Sequence, residues 1–179
     1  MAIYLDTSVI VARYLPTDPS FHVVENFYHE SSGARYVSEI SVLELYCVFS
    51  RLIQAGALTV LSDIKEFDDI SVEEKVRVAV EHAIRSWRLK VTVPDRTFLK
   101  FPVGKRAIEI GHEFFEAIRI SPRLALKILD TLHLTYARAI RDLAVGLETF
   151  VTLDKEIVSK RETIQNEIGI TATSPVKEN

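Results

Sequence analysis

Residues Ala2-Ile3-Tyr4-Leu5-Asp6-Thr7-Ser8-Val9-Ile10 open the chain with four apolar positions that end on an acid. A run this short cannot make a helix. Without polar alternation it reads as a strand buried on both faces, the kind found inside a parallel sheet. Four more short runs extend the pattern: 35–38 after the Ser31-Ser32-Gly33 turn signal, 91–93 stopped by Pro94, 149–153, and 169–171. Longer stretches with helical period lie between them. Residues 40–53 carry a wide apolar face, and 72–87 repeat apolar residues near every 3.6 positions, with Ser71 and Glu74 placed as a capping box. Ala107, Ile110, Phe114 and Ile118 share the same spacing and predict a further helix after Pro102. Strands alternating with helices predict an α/β fold, a three-layer α/β/α sandwich around a mainly parallel central sheet. One domain is expected over 1–170, with an extra helical segment around 56–105 and a flexible tail at 171–179.

The 179 residues are 47% apolar and 26% charged, the make-up of one ordinary domain with a full core. Twenty-two basic and 25 acidic side chains leave −3, which rules out a strongly basic coat but not a local basic patch. No apolar run reaches the roughly 18 residues of a membrane span, and no basic region precedes the opening strand, so neither membrane insertion nor secretion by a signal peptide is expected. Cys47 is the only cysteine, which fits a reducing cytoplasm and excludes an internal disulfide.

Ligands of open α/β sheets gather at the carboxyl ends of the strands. Asp6 follows the first strand and Asp154 the fourth, so both carboxylates fall at one end of the sheet. Taken singly, each reads more readily as a helix cap or first-turn acid. Glu44 is harder to explain that way, being the only charge between positions 40 and 50 on an apolar helix. Asp130 sits in a similar context, in Leu129-Asp130-Thr131-Leu132-His133-Leu134. Four converging carboxylates would repel, and at least one would take up a proton. A hard divalent cation relieves that repulsion, which points to Mg²⁺ or Mn²⁺ and to phosphoryl chemistry.

At these positions the chain resembles the PIN domain family, metal-dependent ribonucleases that include the toxins of VapBC-type toxin–antitoxin pairs. Tyr4-Leu5-Asp6-Thr7-Ser8-Val9-Ile10 is similar to the family's opening, and Ser41-Val42-Leu43-Glu44-Leu45 to its helical Glu motif. Asp130-Thr131-Leu132-His133-Leu134-Thr135-Tyr136-Ala137 and Val151-Thr152-Leu153-Asp154 resemble the two later motifs, in order. The resemblance implies that Asp6, Glu44, Asp130 and Asp154 are the catalytic, metal-binding acids. It implies that Thr7, Ser8 and Thr152 orient a carboxylate or a water. It further implies an RNA substrate, an antitoxin partner and a homodimer. The separation of 86 positions from Glu44 to Asp130 exceeds what the compact toxins lead one to expect.

His133 lies one turn after Asp130 and reads either as support for the site or as a packed histidine tied to a carbonyl or hydroxyl, the latter being commoner. Residues 100–141 hold eight bases against four acids, and Lys105, Arg106, Arg123 and Lys127 are candidates for contacts to RNA phosphates. No phosphate-binding loop is present, because Leu99 stands where the first glycine before Gly104-Lys105 would be. Ser8 replaces the second acid that a haloacid-dehalogenase phosphatase needs after its first strand. The rival expectations are a housekeeping RNA-processing nuclease without an antitoxin, and a PIN-like binding module without turnover.

Overall fold

The computed structural model describes residues 2–58, 67–94, 97–143 and 146–175. In chain order the elements are β1 (Ala2–Leu5), α1 (Thr7–Ala12), α2 (Phe21–Glu30), β2 (Arg35–Ser38), α3 (Glu39–Gln54), a 3₁₀ turn (Phe67–Asp69) and α4 (Val72–Ser86). There follow β3 (Leu89–Thr92), β4 (Phe98–Val103), β5 (Arg106–Gly111), α5 (His112–Leu124), α6 (Ile128–Leu143), β6 (Leu147–Val151), α7 (Lys155–Ser159), α8 (Arg161–Ile168) and β7 (Thr171–Thr173).

Five strands form one sheet in the order β3-β2-β1-β6-β7, and every pair in it is parallel. All four residues of the central β1 are buried, which explains its unbroken apolar sequence. Ile3 and Leu5 face one core with Val9 and Ile10 of α1, Leu45 and Phe49 of α3, and Val76 and Val80 of α4. Ala2 and Tyr4 face a second core with Ile120 of α5, Leu134 and Ile140 of α6, Ile157 of α7 and Ile164 of α8. The alternation along β1 thus produces the expected three layers. Each such Leu or Ile contributes roughly 1.5–3 kcal/mol by burial. Since all five strands run the same way, β1, β2 and β6 end at one edge. Asp6 follows β1 there, Asp154 comes soon after β6, and Glu44 rides on the second turn of α3 after β2.

Several boundaries differ from the sequence reading. The strand expected at 91–93 begins two residues and ends one residue earlier, as β3. The strand expected at 149–153 begins and ends two residues earlier, as β6. The last strand lies two residues later, as β7, so 171–173 is not a tail: Ala172 is buried and pairs with Phe150. Residues 176–179 of the expected tail lie outside the described residues, as do 59–66 and 95–96 of the segment around 56–105. Ser71 does cap α4, accepting from Glu74 N at 3.2 Å. The expected helix through Ala107 and Ile110 is half wrong. Those two residues belong to β5, which pairs antiparallel with β4 across a two-residue turn, and the helix starts only at His112. Gly104 makes that turn with φ +59, and Pro102 is tolerated because a two-stranded hairpin does not need its missing N–H. This hairpin stands apart from the main sheet.

Candidate metal centre at the sheet edge

Asp6 is the best-anchored of the four acids. It stands at the N-cap position of α1 at the end of β1 without a side-chain capping hydrogen bond, and is 8% exposed. Its Oδ2 accepts from Ser8 Oγ at 2.6 Å and from Thr152 Oγ1 at 2.7 Å. The same two hydroxyls accept from the backbone beyond β6, Ser8 Oγ from Leu153 N and Thr152 Oγ1 from Asp154 N. The ends of β1 and β6 are therefore laced together around one carboxylate.

Glu44 meets His133 across the sheet edge, with Nε2 to Oε2 at 3.0 Å. A carboxylate can only accept, so Nε2 carries a hydrogen and donates it. Burial alone would raise the Glu44 carboxyl; the His133 hydrogen bond, neighbouring Thr7, and the charges of His133 and Arg51 outweigh it, and its pKa falls below the ordinary value. Thr7 Oγ1 lies beside this carboxylate but outside full hydrogen-bond geometry. Burial would likewise push the His133 imidazole down. Tyr4, the Glu44 hydrogen bond and the Asp6 charge reverse this and hold its pKa at about 10, so the ring is cationic at neutral pH. Its Nδ1 lies 3.1 Å from the Tyr4 hydroxyl.

Ligand-capable atoms of Asp6, Glu44 and His133 all lie within 4.8 Å of one another. Asp130 stands close enough for burial, then the charges of Asp154 and Asp6, to raise its pKa to about 6 against the opposing pull of Lys127 and His133. Its Oδ2 is buried without a hydrogen-bond partner. Asp154 Oδ1 accepts from Glu156 N at 2.7 Å, so this carboxylate also caps α7, as one reading of the sequence has it. The four acids picked from the sequence thus stand at one edge of the sheet. His133 joins them as a buried group tied to a hydroxyl and a carboxylate. With its hydrogen on Glu44, Nε2 has no lone pair to offer an ion in this arrangement, and what His133 does here is hold the Glu44 carboxylate.

The donor set suits a hard divalent cation. It offers carboxylate oxygens, leaves one buried oxygen without a partner, and crowds like charges enough to raise one carboxyl to about 6. Of the four basic candidates, only Lys127 acts on this cluster, through its effect on Asp130. Arg123 is paired instead with Glu167 on α8, at 2.8 Å. Lys105 and Arg106 are exposed at the hairpin turn.

The sequence reading missed the buried hydroxyls beside His133: Tyr4, and Ser38 and Ser41, whose Oγ atoms lie 2.8 and 3.0 Å from the Tyr4 hydroxyl. The available signal was Tyr4 itself, the only member of a fully buried strand with a hydroxyl that needs a partner.

Among solved structures, the chain is similar to one in VapBC2 from Rickettsia felis bound to a DNA fragment from the promoter. The TM-score is 0.52 at 15% identity, over 97% of this chain and 98% of that one, which is a likeness of fold. No curated protein matches the chain. The PIN domain model matches residues 3–101, a span that holds Asp6 and Glu44 and stops before Asp130 and Asp154. With more than half its length under that model, and with its acids gathered where parallel strands end, the chain belongs to the PIN domain family.

Proposed function

We propose that this chain is a metal-dependent endoribonuclease that hydrolyses RNA phosphodiester bonds, and that it is the toxin of a VapBC-type toxin–antitoxin pair. The observation that carries the catalytic reading is Asp130, whose buried Oδ2 has no partner and whose carboxyl is raised to about 6 beside Asp154 and Asp6. Asp6, Glu44, Asp130 and Asp154 would hold Mg²⁺ or Mn²⁺, which when bound supplies Lewis-acid stabilisation of charge developing on the phosphate and lowers the pKa of the attacking water.

The remaining work falls to the chain's own groups. Ser8 and Thr152 fix Asp6 by donating to Oδ2, so its orientation does not depend on the ligand. His133 fixes Glu44 in the same way. Asp130 keeps a proton on its carboxyl below about pH 6 and gives it up above, so occupation of the site is coupled to proton release. Lys127, whose charge acts on Asp130, would contact an RNA phosphate, and the exposed Lys105 and Arg106 at the hairpin turn would add further contacts. Membership of the PIN domain family and the whole-chain likeness to a chain of a VapBC complex support the toxin role. A cytoplasmic homodimer held in check by an antitoxin completes the reading.

The test is Asp6→Asn, assayed on RNA with Mn²⁺ added. Cleavage that depends on Mn²⁺ in the parent and falls at least about 100-fold in the variant supports the reading. Equal rates remove Asp6 from the chemistry. Growth arrest on expression, relieved by a co-expressed small partner encoded beside this chain, supports the toxin role. Cleavage without arrest favours RNA processing instead.

A further inference from the structure

We infer that Tyr4 is a positioning residue of the acidic site: its hydroxyl is the hub of a buried network that holds the His133 ring with Nε2–H on the Glu44 carboxylate. Tyr4 is fully buried, and its ring stacks on Phe150 with centroids 5.2 Å apart and planes 12° apart. Packing alone would be served as well by phenylalanine, so the hydroxyl needs its own explanation. A buried hydroxyl is costly unless it is hydrogen-bonded. This one meets Ser38 Oγ at 2.8 Å, Ser41 Oγ at 3.0 Å and His133 Nδ1 at 3.1 Å.

These partners control the same acid from different sides. Ser38 and Ser41 form the capping box that starts α3, the helix that carries Glu44. His133 holds the Glu44 carboxylate directly. Tyr4 therefore ties together the groups that set the Glu44 backbone and the group that sets its side chain. The chemistry of a phenol suits this place. With Nε2–H committed to Glu44, Nδ1 either donates or accepts according to the charge on the ring, and a hydroxyl can answer both.

The molecule contains its own control. Tyr14, also buried, meets His82 Nδ1 and Ser86 Oγ, each at 3.0 Å, in the opposite layer. Among the described residues, no carboxylate bonds to His82.

The proposal rests on the metal-site reading only for its consequence, not for the network. The experiment compares Tyr4→Phe with Tyr14→Phe in the full chain. Mn²⁺ affinity is read from the electron-spin resonance of free Mn²⁺, ring geometry from ¹H–¹⁵N NMR of the histidines without metal, and folding from circular dichroism. Tyr4→Phe should bind Mn²⁺ about 10- to 100-fold more weakly and shift the His133 ring signals. Tyr14→Phe should shift only the His82 signals and keep Mn²⁺ affinity within about twofold. A folded Tyr4→Phe protein with parental Mn²⁺ affinity and an unchanged His133 ring overturns the proposal. If Tyr4→Phe does not fold, Ser41→Ala keeps the tyrosine and removes one of its partners; a weaker Mn²⁺ affinity supports the proposal and an unchanged one overturns it. If the parent binds no Mn²⁺, the metal reading fails by itself, and the His133 ring in Tyr4→Phe still decides the role of Tyr4.

Discussion

Two tyrosine–histidine–serine sets, each built on a buried tyrosine, stand on opposite sides of the central sheet, and only one of them adjoins the acids. In both, a tyrosine hydroxyl bonds to histidine Nδ1 and to serine Oγ at about 3 Å. They differ in what lies beyond the imidazole. Past His133 stand Glu44 and Asp6, which with Tyr4 hold the ring cationic. Around His82, burial first and the Arg13 charge second lower the pKa, which leaves the ring neutral. The same three side chains thus act as a packing tie in one layer and as the support of a carboxylate in the other. The chemistry is set by the surroundings.

The contrast can be broken most directly with His133→Gln and His82→Gln. Both should lose roughly 1–2 kcal/mol of stability from disrupted hydrogen bonds. Mn²⁺-dependent RNA cleavage should fall about 10- to 100-fold for the first and stay unchanged for the second. Similar activity losses in the two variants would erase the distinction.

Melting the same pair from pH 5 to 11 sharpens it. His133 is raised above its unfolded value, so the stability it contributes is complete below about pH 6.5 and disappears as pH rises through about 10. His82 is lowered, so its contribution is present above about pH 6.5 and is lost as pH falls through its folded pKa. The penalty of His133→Gln should therefore shrink in base, and that of His82→Gln should shrink in acid. Parallel pH profiles would contradict both assignments.

Asp130→Asn gives a smaller effect of opposite sign. Removing a half-buried charge that faces Asp154 and Asp6 should stabilise the metal-free protein at pH 7 by about 1 kcal/mol after allowance for solvent screening. That is about 2–4 °C in Tm for a domain of this size. Added Mn²⁺ should raise the parent's Tm and leave the variant's nearly unmoved. A destabilised variant would show that Asp130 serves the fold and not a ligand.

The weakest expected effect concerns the hairpin turn. Lys105→Glu with Arg106→Glu should reduce binding of a single-stranded RNA several-fold. The slope of log affinity against log salt should flatten by about 0.7 for each phosphate the two side chains neutralise in the parent. An unchanged salt slope would remove the hairpin from the RNA-binding surface.

What is legible in the sequence follows the same divide between local and distant causes. Asp6 and Asp154 can be placed because each closely follows a short buried run, and a parallel sheet puts such positions on one edge. Glu44 stands out as a lone charge in an apolar helix. The hairpin of β4 and β5 is hidden because Ala107, Ile110, Phe114 and Ile118 keep helical spacing while straddling a strand and a helix. Gly104 resembles part of a phosphate loop that lacks its first glycine, while its positive φ makes the hairpin turn. The bond from His133 to Glu44 spans 89 residues, and that from Tyr4 to His133 spans 129. No local pattern encodes partners so far apart; only the packed sheet brings them together.

Crystals soaked in Mn²⁺ and measured at the manganese absorption edge test the acidic site most directly. An anomalous peak within coordination distance of Asp6 and Glu44, with Asp130 Oδ2 turned onto it and His133 Nε2 still on Glu44, is the predicted result. Manganese bound only elsewhere, or a site in which His133 leaves Glu44 to ligate the ion itself, would contradict it.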